Sequence, residues 1–126
     1  CFLSGQLSKK IQSLSKGYRR RLSFAAAIVN RPQNIILDEP FEGLDPEQII
    51  HFRRLIKKLS QKCAVLLSTH IMSEAEALCS KIYVVSGGKI AASGTAQDIA
   101  SSYGTQTLEE AFLKITANAR QTERTR

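Results

Sequence analysis

From Tyr18 to Val29 the chain reads YRRRLSFAAAIV, and Leu22, Ala25, Ala26 and Val29 recur at the i, i+3, i+4, i+7 spacing that lines one face of a helix. Ser15 stands where an N-cap belongs, and Asn30-Arg31-Pro32 ends the segment, because the residue before a proline is pushed out of helical backbone. Asn34-Ile35-Ile36-Leu37 is short, apolar and rich in β-branched residues, and it stops at Asp38-Glu39-Pro40, the pattern of a strand buried on both faces. Asp45-Pro46-Glu47-Gln48 then combines an N-cap, a proline at the first helical position and a capping-box glutamine. The helix it opens is expected to bury Ile49, Phe52, Ile56 and Leu59.

Cys63 to Ser68 is a second continuous apolar run, and Ser73 to Leu78 reads as a short helix. Ile82 to Ser86 and Lys89 to Ser93 read as strands joined through Gly87-Gly88, and Thr107 to Ile115 as a last helix. Beyond it ANARQTERTR is polar and basic with nothing to bury, so a frayed tail is expected there. Strand and helix alternate through the middle and a hairpin follows, which predicts an α/β fold with parallel strands and crossover helices, turning antiparallel towards the end. No internal repeat or low-complexity block is present.

At 126 residues, 43% hydrophobic and 23% charged, the chain has the size and balance of one soluble domain. No run approaches the roughly 18 apolar residues of a spanning helix, and CFLSGQLSKK lacks the basic-then-apolar order of a signal peptide, so the chain is expected neither to span a membrane nor to be exported. Cys1, Cys63 and Cys79 lack metal-ligand spacing and fit a reduced, cytosolic setting. The first residue is Cys1 and the sole methionine is Met72, from which a fragment or processed product is expected. Lys plus Arg exceed Asp plus Glu by 18 to 11, and the resulting +7 admits an anionic partner: nucleotide, nucleic acid or lipid headgroup. Aromatics make up only 6% and include no tryptophan, so no stacking platform for single-stranded nucleic acid accompanies that charge.

Two adjacent acids, Asp38 and Glu39, end a buried strand, where carboxylates are costly unless a cation or a reaction occupies the place. Asp38 is placed to bind a hard cation, and Glu39 to orient and deprotonate a water. The ordinary alternative is a strand end whose acids cap a helix or face solvent. Upstream, Ser15-Lys16-Gly17 lies at a helix N-terminus, whose free N–H groups and positive dipole end favour a phosphate, although a plain N-cap with a glycine turn reads the same way. Gly43-Leu44-Asp45-Pro46 is a turn with a capping aspartate. Ser68-Thr69-His70 ends the second strand, so His70 is expected at the same sheet edge as Asp38 and Glu39.

In that order LSKGYRRRL, IILDEP, FEGLDP and LLSTH resemble the signature, Walker B, D-loop and H-loop segments of ABC ATPases, and the resemblance extends over residues 7–116. It implies a partial P-loop NTPase fold, with residues 1–116 the C-terminal part of an ABC ATPase domain and 117–126 a polar basic tail. It further implies ATP and Mg²⁺ as cofactors, with Asp38 binding Mg²⁺ through its waters, Glu39 as general base and His70 contacting the γ-phosphate. Ser15, Lys16 and Gly17 would face the γ-phosphate held by a second ATPase subunit, identical or paralogous, and Asp45 would cross the dimer interface. By the same resemblance the full protein would drive transport through transmembrane permease subunits from the cytoplasmic face of the membrane, and the ending Leu108 to Thr116 is similar to that of exporter-type subunits. No nucleic-acid partner is expected, although Arg19-Arg20-Arg21 and the basic charge leave a soluble ABC ATPase acting on nucleic acid or ribosomes as an alternative, and a non-catalytic remnant as another.

The chain departs from the family pattern in places. Lys16 and Tyr18 stand where the signature usually carries glycine and glutamine, and Phe41-Glu42 where threonine and a small or polar residue are usual. Leu3-Ser4-Gly5-Gln6 is a signature look-alike too far from Asp38 and is set aside. No G-x-x-x-x-G-K-[ST] occurs, since Gly87-Gly88-Lys89 sits in a hairpin and lacks the rest of the pattern. Without the Walker A loop the isolated chain is expected to be inactive, and without neighbouring strands its parallel sheet is expected to show an apolar face and edge.

Overall fold

A computed structural model describes residue 5 and residues 8–124, so the Leu3 to Gln6 look-alike falls, apart from Gly5, outside the described residues. The chain divides into two compact units, Cys1–His70 and Ile71–Arg126.

In the first unit a 3₁₀ turn, Ile11–Ser13, precedes helix α1 (Lys16–Ile28), strand β1 (Asn34–Asp38), helix α2 (Pro46–Ser60) and strand β2 (Ala64–Ser68). Both helices start where their caps dictate. The Ser15 hydroxyl accepts the Tyr18 N–H at 3.3 Å, and the Asp45 carboxylate accepts the Gln48 N–H at 2.9 Å ahead of Pro46. Lys57 and Lys58 complement the dipole in the last turn of α2. α2 is the crossover between two parallel strands, paired from Asn34 opposite Ala64 to Asp38 opposite Ser68 without a break in register.

Three aromatic rings hold this unit together. Phe24 of α1 meets Phe52 of α2 with centroids 4.6 Å apart, and Phe41, from the turn after β1, meets the same Phe52 edge-on at 6.0 Å. All three are buried, together with Leu14, Ile35 and Ile56. The periodicity of α1 therefore misidentifies its inward face: Phe24 is its buried residue, whereas Val29 lies past the last turn and is 73% exposed. In α2, Phe52 and Ile56 are buried but Ile49 and Leu59 only half so. The expectation of strands buried on both faces also fails among the described residues. Ile35 is buried while Ile36, pointing the opposite way, is 77% exposed, and Leu66 on β2 is 60% exposed. The open apolar face is the one expected of a parallel sheet that lacks neighbours.

The second unit contains α3 (Met72–Leu78), a hairpin of β3 (Ile82–Ser86) and β4 (Lys89–Gly94), α4 (Ala96–Ser102) and α5 (Leu108–Arg124). Gly87 and Gly88, at φ 55° and 70°, close the two-residue hairpin with the left-handed backbone such a turn requires. α4 was not expected from the hydrophobic pattern. It is nucleated by a reciprocal capping box: Thr95 accepts the Asp98 N–H, and Asp98 accepts both the N–H and the hydroxyl of Thr95. Ala75, Val84, Ile99, Leu108, Ala111 and Ile115 form the core of this unit. α5 continues to Arg124, past the point where the apolar spacing stops. No helix among the described residues is long and apolar enough to cross a membrane.

Removing the shared ring with Phe52→Ala should destabilise the chain by about 3–5 kcal/mol, against about 1 kcal/mol for the exposed cap change Thr95→Ala. Urea denaturation of both variants checks this, and an equal loss would refute the ranking. The Thr95 hydroxyl, followed by the Thr95 N–H, holds the Asp98 carboxyl below its ordinary range. The stabilisation from this box is therefore present above the unfolded carboxyl pKa and is lost as pH falls through the lowered folded value, so the protection of α4 amides, taken relative to the intrinsic exchange rate at each pH, should fall on acidification before that of α5.

Candidate functional site

The strand pairing builds the site. Because Asp38 lies opposite Ser68 at the C-terminal ends of β1 and β2, the residues that follow, Glu39 and His70, leave the sheet on the same edge. The Ser68 hydroxyl donates to Asp38 Oδ1 and accepts the Glu39 N–H at 3.1 Å, while the Ser68 carbonyl accepts that same N–H at 3.2 Å. One hydroxyl thus fixes both acids. Glu39 adopts φ 43°, the left-handed region that a side chain with a Cβ rarely occupies. This conformation turns its carboxylate towards His70, and Glu39 Oε1 lies 2.9 Å from His70 Nδ1. With the Nδ1 proton on the ring, Glu39 accepts the bond, leaving Oε2 of the acid and Nε2 of the imidazole for other partners. Asp38 is exposed and Glu39 partly so.

The second cluster forms where α1 begins. Ser15 uses its hydroxyl as the N-cap, and Gly17 packs close: a Cβ there would meet Gln48 Oε1 at 3.4 Å and the Gly43 carbonyl at 3.7 Å. The start of α1 therefore lies against the turn that leads to Asp45. Phe41 and Glu42 shape that turn, Phe41 by sinking against Phe52 and Glu42 by binding cations on α1. Lys16 Nζ is 3.0 Å from Glu42 Oε1, and Arg20 Nη1 is 3.6 Å from Glu42 Oε2. Lys16, through its hydrogen bond and then its charge, and Arg20 beside it hold the Glu42 carboxyl below its ordinary range. Arg20 also donates to the Glu42 carbonyl at 2.5 Å and to the Asp38 carbonyl at 3.2 Å, so one guanidinium joins α1, the end of β1 and the turn.

The residues singled out from the sequence thus fall into two groups, Asp38, Glu39 and His70 at the sheet edge and Ser15, Lys16, Gly17 and Asp45 around the start of α1. The sequence assigns no role at the site to Ser68, Arg20 or Glu42. Ser68 becomes recognisable once the strands are paired, because it is the register partner of Asp38. Glu42 lies 26 positions from Lys16, and no local spacing announces that contact. Alongside, a cleft of about 310 Å³ runs between α1 and α2, where the Arg21 guanidinium lies 4.4 Å over the Tyr18 ring.

Comparison with known proteins bears on the family and the fold. The sequence family described as "AAA domain, putative AbiEii toxin, Type IV TA system" matches residues 9–76, just over half of the chain. The chain is 39% identical over 116 residues to the uncharacterized ABC transporter ATP-binding protein YdbJ of Bacillus subtilis, covering 90% of this chain and 36% of that protein. It is 38% identical over 98 residues to the Nod factor export ATP-binding protein I of Rhizobium etli, covering 77% of this chain and 31% of that protein. A solved ATP-binding subunit of an ABC transporter superposes with a TM-score of 0.82 at 32% identity, over 90% of this chain and 49% of that one. The chain therefore spans about a third of the length of these curated relatives and about half of the solved subunit. Its α/β fold is that of a partial P-loop ATPase of the ABC type, its curated relatives are ATP-binding proteins of ABC transporters, and the chain belongs to the AAA-domain family.

Proposed function

We propose that the chain is the C-terminal part of the ATP-hydrolysing subunit of an ABC transporter, with residues 1–116 belonging to the ATPase domain and 117–126 a polar basic tail. The observation that carries this reading is the contact of Glu39 Oε1 with His70 Nδ1 at 2.9 Å, on the sheet edge that also bears Asp38. A base needs a carboxylate held in one orientation within reach of water. The imidazole fixes one oxygen of Glu39 and leaves Oε2 to take the proton of the attacking water, while His70 Nε2 can donate to a γ-phosphate oxygen when the ring carries a proton on both nitrogens.

Asp38 fits Mg²⁺ by its donor set. That ion takes one or two carboxylates, substrate phosphates and several waters rather than a protein cage. Asp38 offers a single exposed carboxylate, and among the described residues no group of three His, Cys, Asp or Glu could hold an ion unaided. Bound Mg²⁺ would supply neutralisation of the phosphate charge. Ser15, Lys16 and Gly17, at the N-terminus of a 13-residue helix, would serve the γ-phosphate held by a second subunit, and Asp45 would face that subunit across the interface. Partner permease subunits, a location at the cytoplasmic face of the membrane and an export direction complete the proposal. The export direction is supported by the likeness to the Rhizobium export protein.

In the complete subunit, Glu39→Gln should leave equilibrium ATP binding intact and lower turnover by about 10²–10⁴-fold, measured as phosphate release. Turnover close to the parent's would reject Glu39 as the base. Purified as 126 residues, the chain should release phosphate no faster than background, since the Walker A loop is absent from it. The left-handed backbone gives a further test. Glu39→Gly should be more stable than Glu39→Ala by about 1–2 kcal/mol in urea denaturation, with turnover abolished in both, because both lack the carboxylate and only glycine occupies that region without strain. A glycine variant no more stable than the alanine one would mean that φ at Glu39 carries no strain.

A further inference from the structure

We propose that Lys16 is an exchangeable cation: Glu42 holds it in the free subunit, the triphosphate of the opposite subunit takes it in the ATP-bound dimer, and Glu42 is thereby an internal competitor that raises the ATP concentration needed for dimerisation. The proposal rests on the reading that the start of α1 meets the neighbour's phosphate, and adds to it a control within this chain. Three features of the ion pair support it.

The Lys16–Glu42 pair is suited to exchange. Its 3.0 Å contact joins side chains that are 69% and 53% exposed, and such pairs contribute little because water screens them and two long side chains must be ordered. A triphosphate, with several negative oxygens on one centre, outcompetes a lone carboxylate for a flexible ammonium.

Glu42 does not lose its last partner when Lys16 leaves. Arg20, with a side chain only 25% exposed, remains 3.6 Å from the second carboxylate oxygen and keeps its bonds to the Glu42 and Asp38 carbonyls. The acid is thus built to release one cation and retain the other.

The Lys16 stem also covers the turn. Gly43 sits at φ 75°, and a Cβ there would come within 3.7 Å of Lys16 Cδ and 3.9 Å of Cε. Swinging the ammonium away from Glu42 moves the aliphatic chain off the backbone that leads to Asp45. Arrival of the neighbour's phosphate would therefore be felt at the turn before α2 as well as at α1.

The test uses the complete subunit carrying Glu39→Gln to block hydrolysis, and reads by analytical ultracentrifugation the ATP concentration that half-saturates dimer formation. Adding Glu42→Gln should lower that concentration by about 2–5-fold, the range a surface ion pair is worth. Lys16→Met should raise it, and Lys16→Met with Glu42→Gln should match Lys16→Met alone, since no cation remains to be freed. An unchanged or higher value for Glu42→Gln, or a Glu42→Gln effect that persists without Lys16, would overturn the exchange. If ATP produced no dimer even with Lys16 and Glu42 intact, the proposed function would fail and the exchange with it. Both side chains are exposed, so the variants should keep the melting temperature of their Glu39→Gln parent.

Discussion

The unbroken parallel pairing of β1 with β2 is the constraint on which the first unit depends. It places Asp38 opposite Ser68, and that single register decides where Glu39 and His70 leave the sheet. A slip of one residue would turn every side chain of one strand to the opposite face and part Asp38 from Ser68. The register is held at both ends. Beyond the N-terminal end the Ala64 N–H donates to the Gln33 carbonyl at 2.9 Å, and beyond the C-terminal end the Glu39 N–H reaches both acceptors of Ser68. The second clamp comes with a strained residue, since its donor belongs to Glu39 in left-handed backbone. Strain at that position is sustained because two hydrogen bonds and the imidazole all fix the same residue.

Much of this was legible in the sequence because the signals are local. Ser15, Asp45 and Pro46 mark helix starts through hydrogen bonds that span three residues, and Gly87-Gly88 marks a hairpin through its own backbone freedom. Asp38, Glu39 and His70 could be assigned to one edge because both apolar runs end there and a crossover helix separates them. The inward face of α1 was not legible. Leu22, Ala25, Ala26 and Val29 satisfy the helical period, yet the large ring of Phe24 gains more from meeting Phe52 than small alanines gain from burial, and Val29 falls outside the helix. α4 was overlooked because its signal is polar: the Thr95 to Asp98 box carries no apolar stripe.

The unusual residues in the turn after β1 illustrate a different limit. Read singly, Lys16, Phe41 and Glu42 are departures from the ABC pattern whose effect on the turn has no local answer. In the fold they compensate one another. Phe41 is buried against Phe52, and Glu42 finds Lys16 and Arg20 across a separation that periodicity does not report. The turn is therefore anchored from below by an aromatic ring and from the side by two cations.

Those two anchors differ in kind, and the difference has a physical consequence. The Phe41–Phe52 contact is buried, so breaking it would expose apolar surface to water, and it has no competitor in solution. The Lys16–Glu42 contact is exposed and electrostatic, so any stronger anion competes for the lysine directly and added salt weakens the pair. Arg20 lies between these extremes, partly buried and bonded to two backbone carbonyls as well as to the carboxylate. A turn held by one permanent contact, one durable contact and one replaceable contact can respond to phosphate without unfolding. In this arrangement the replaceable contact is the one that includes a residue of the helix start we propose to face phosphate.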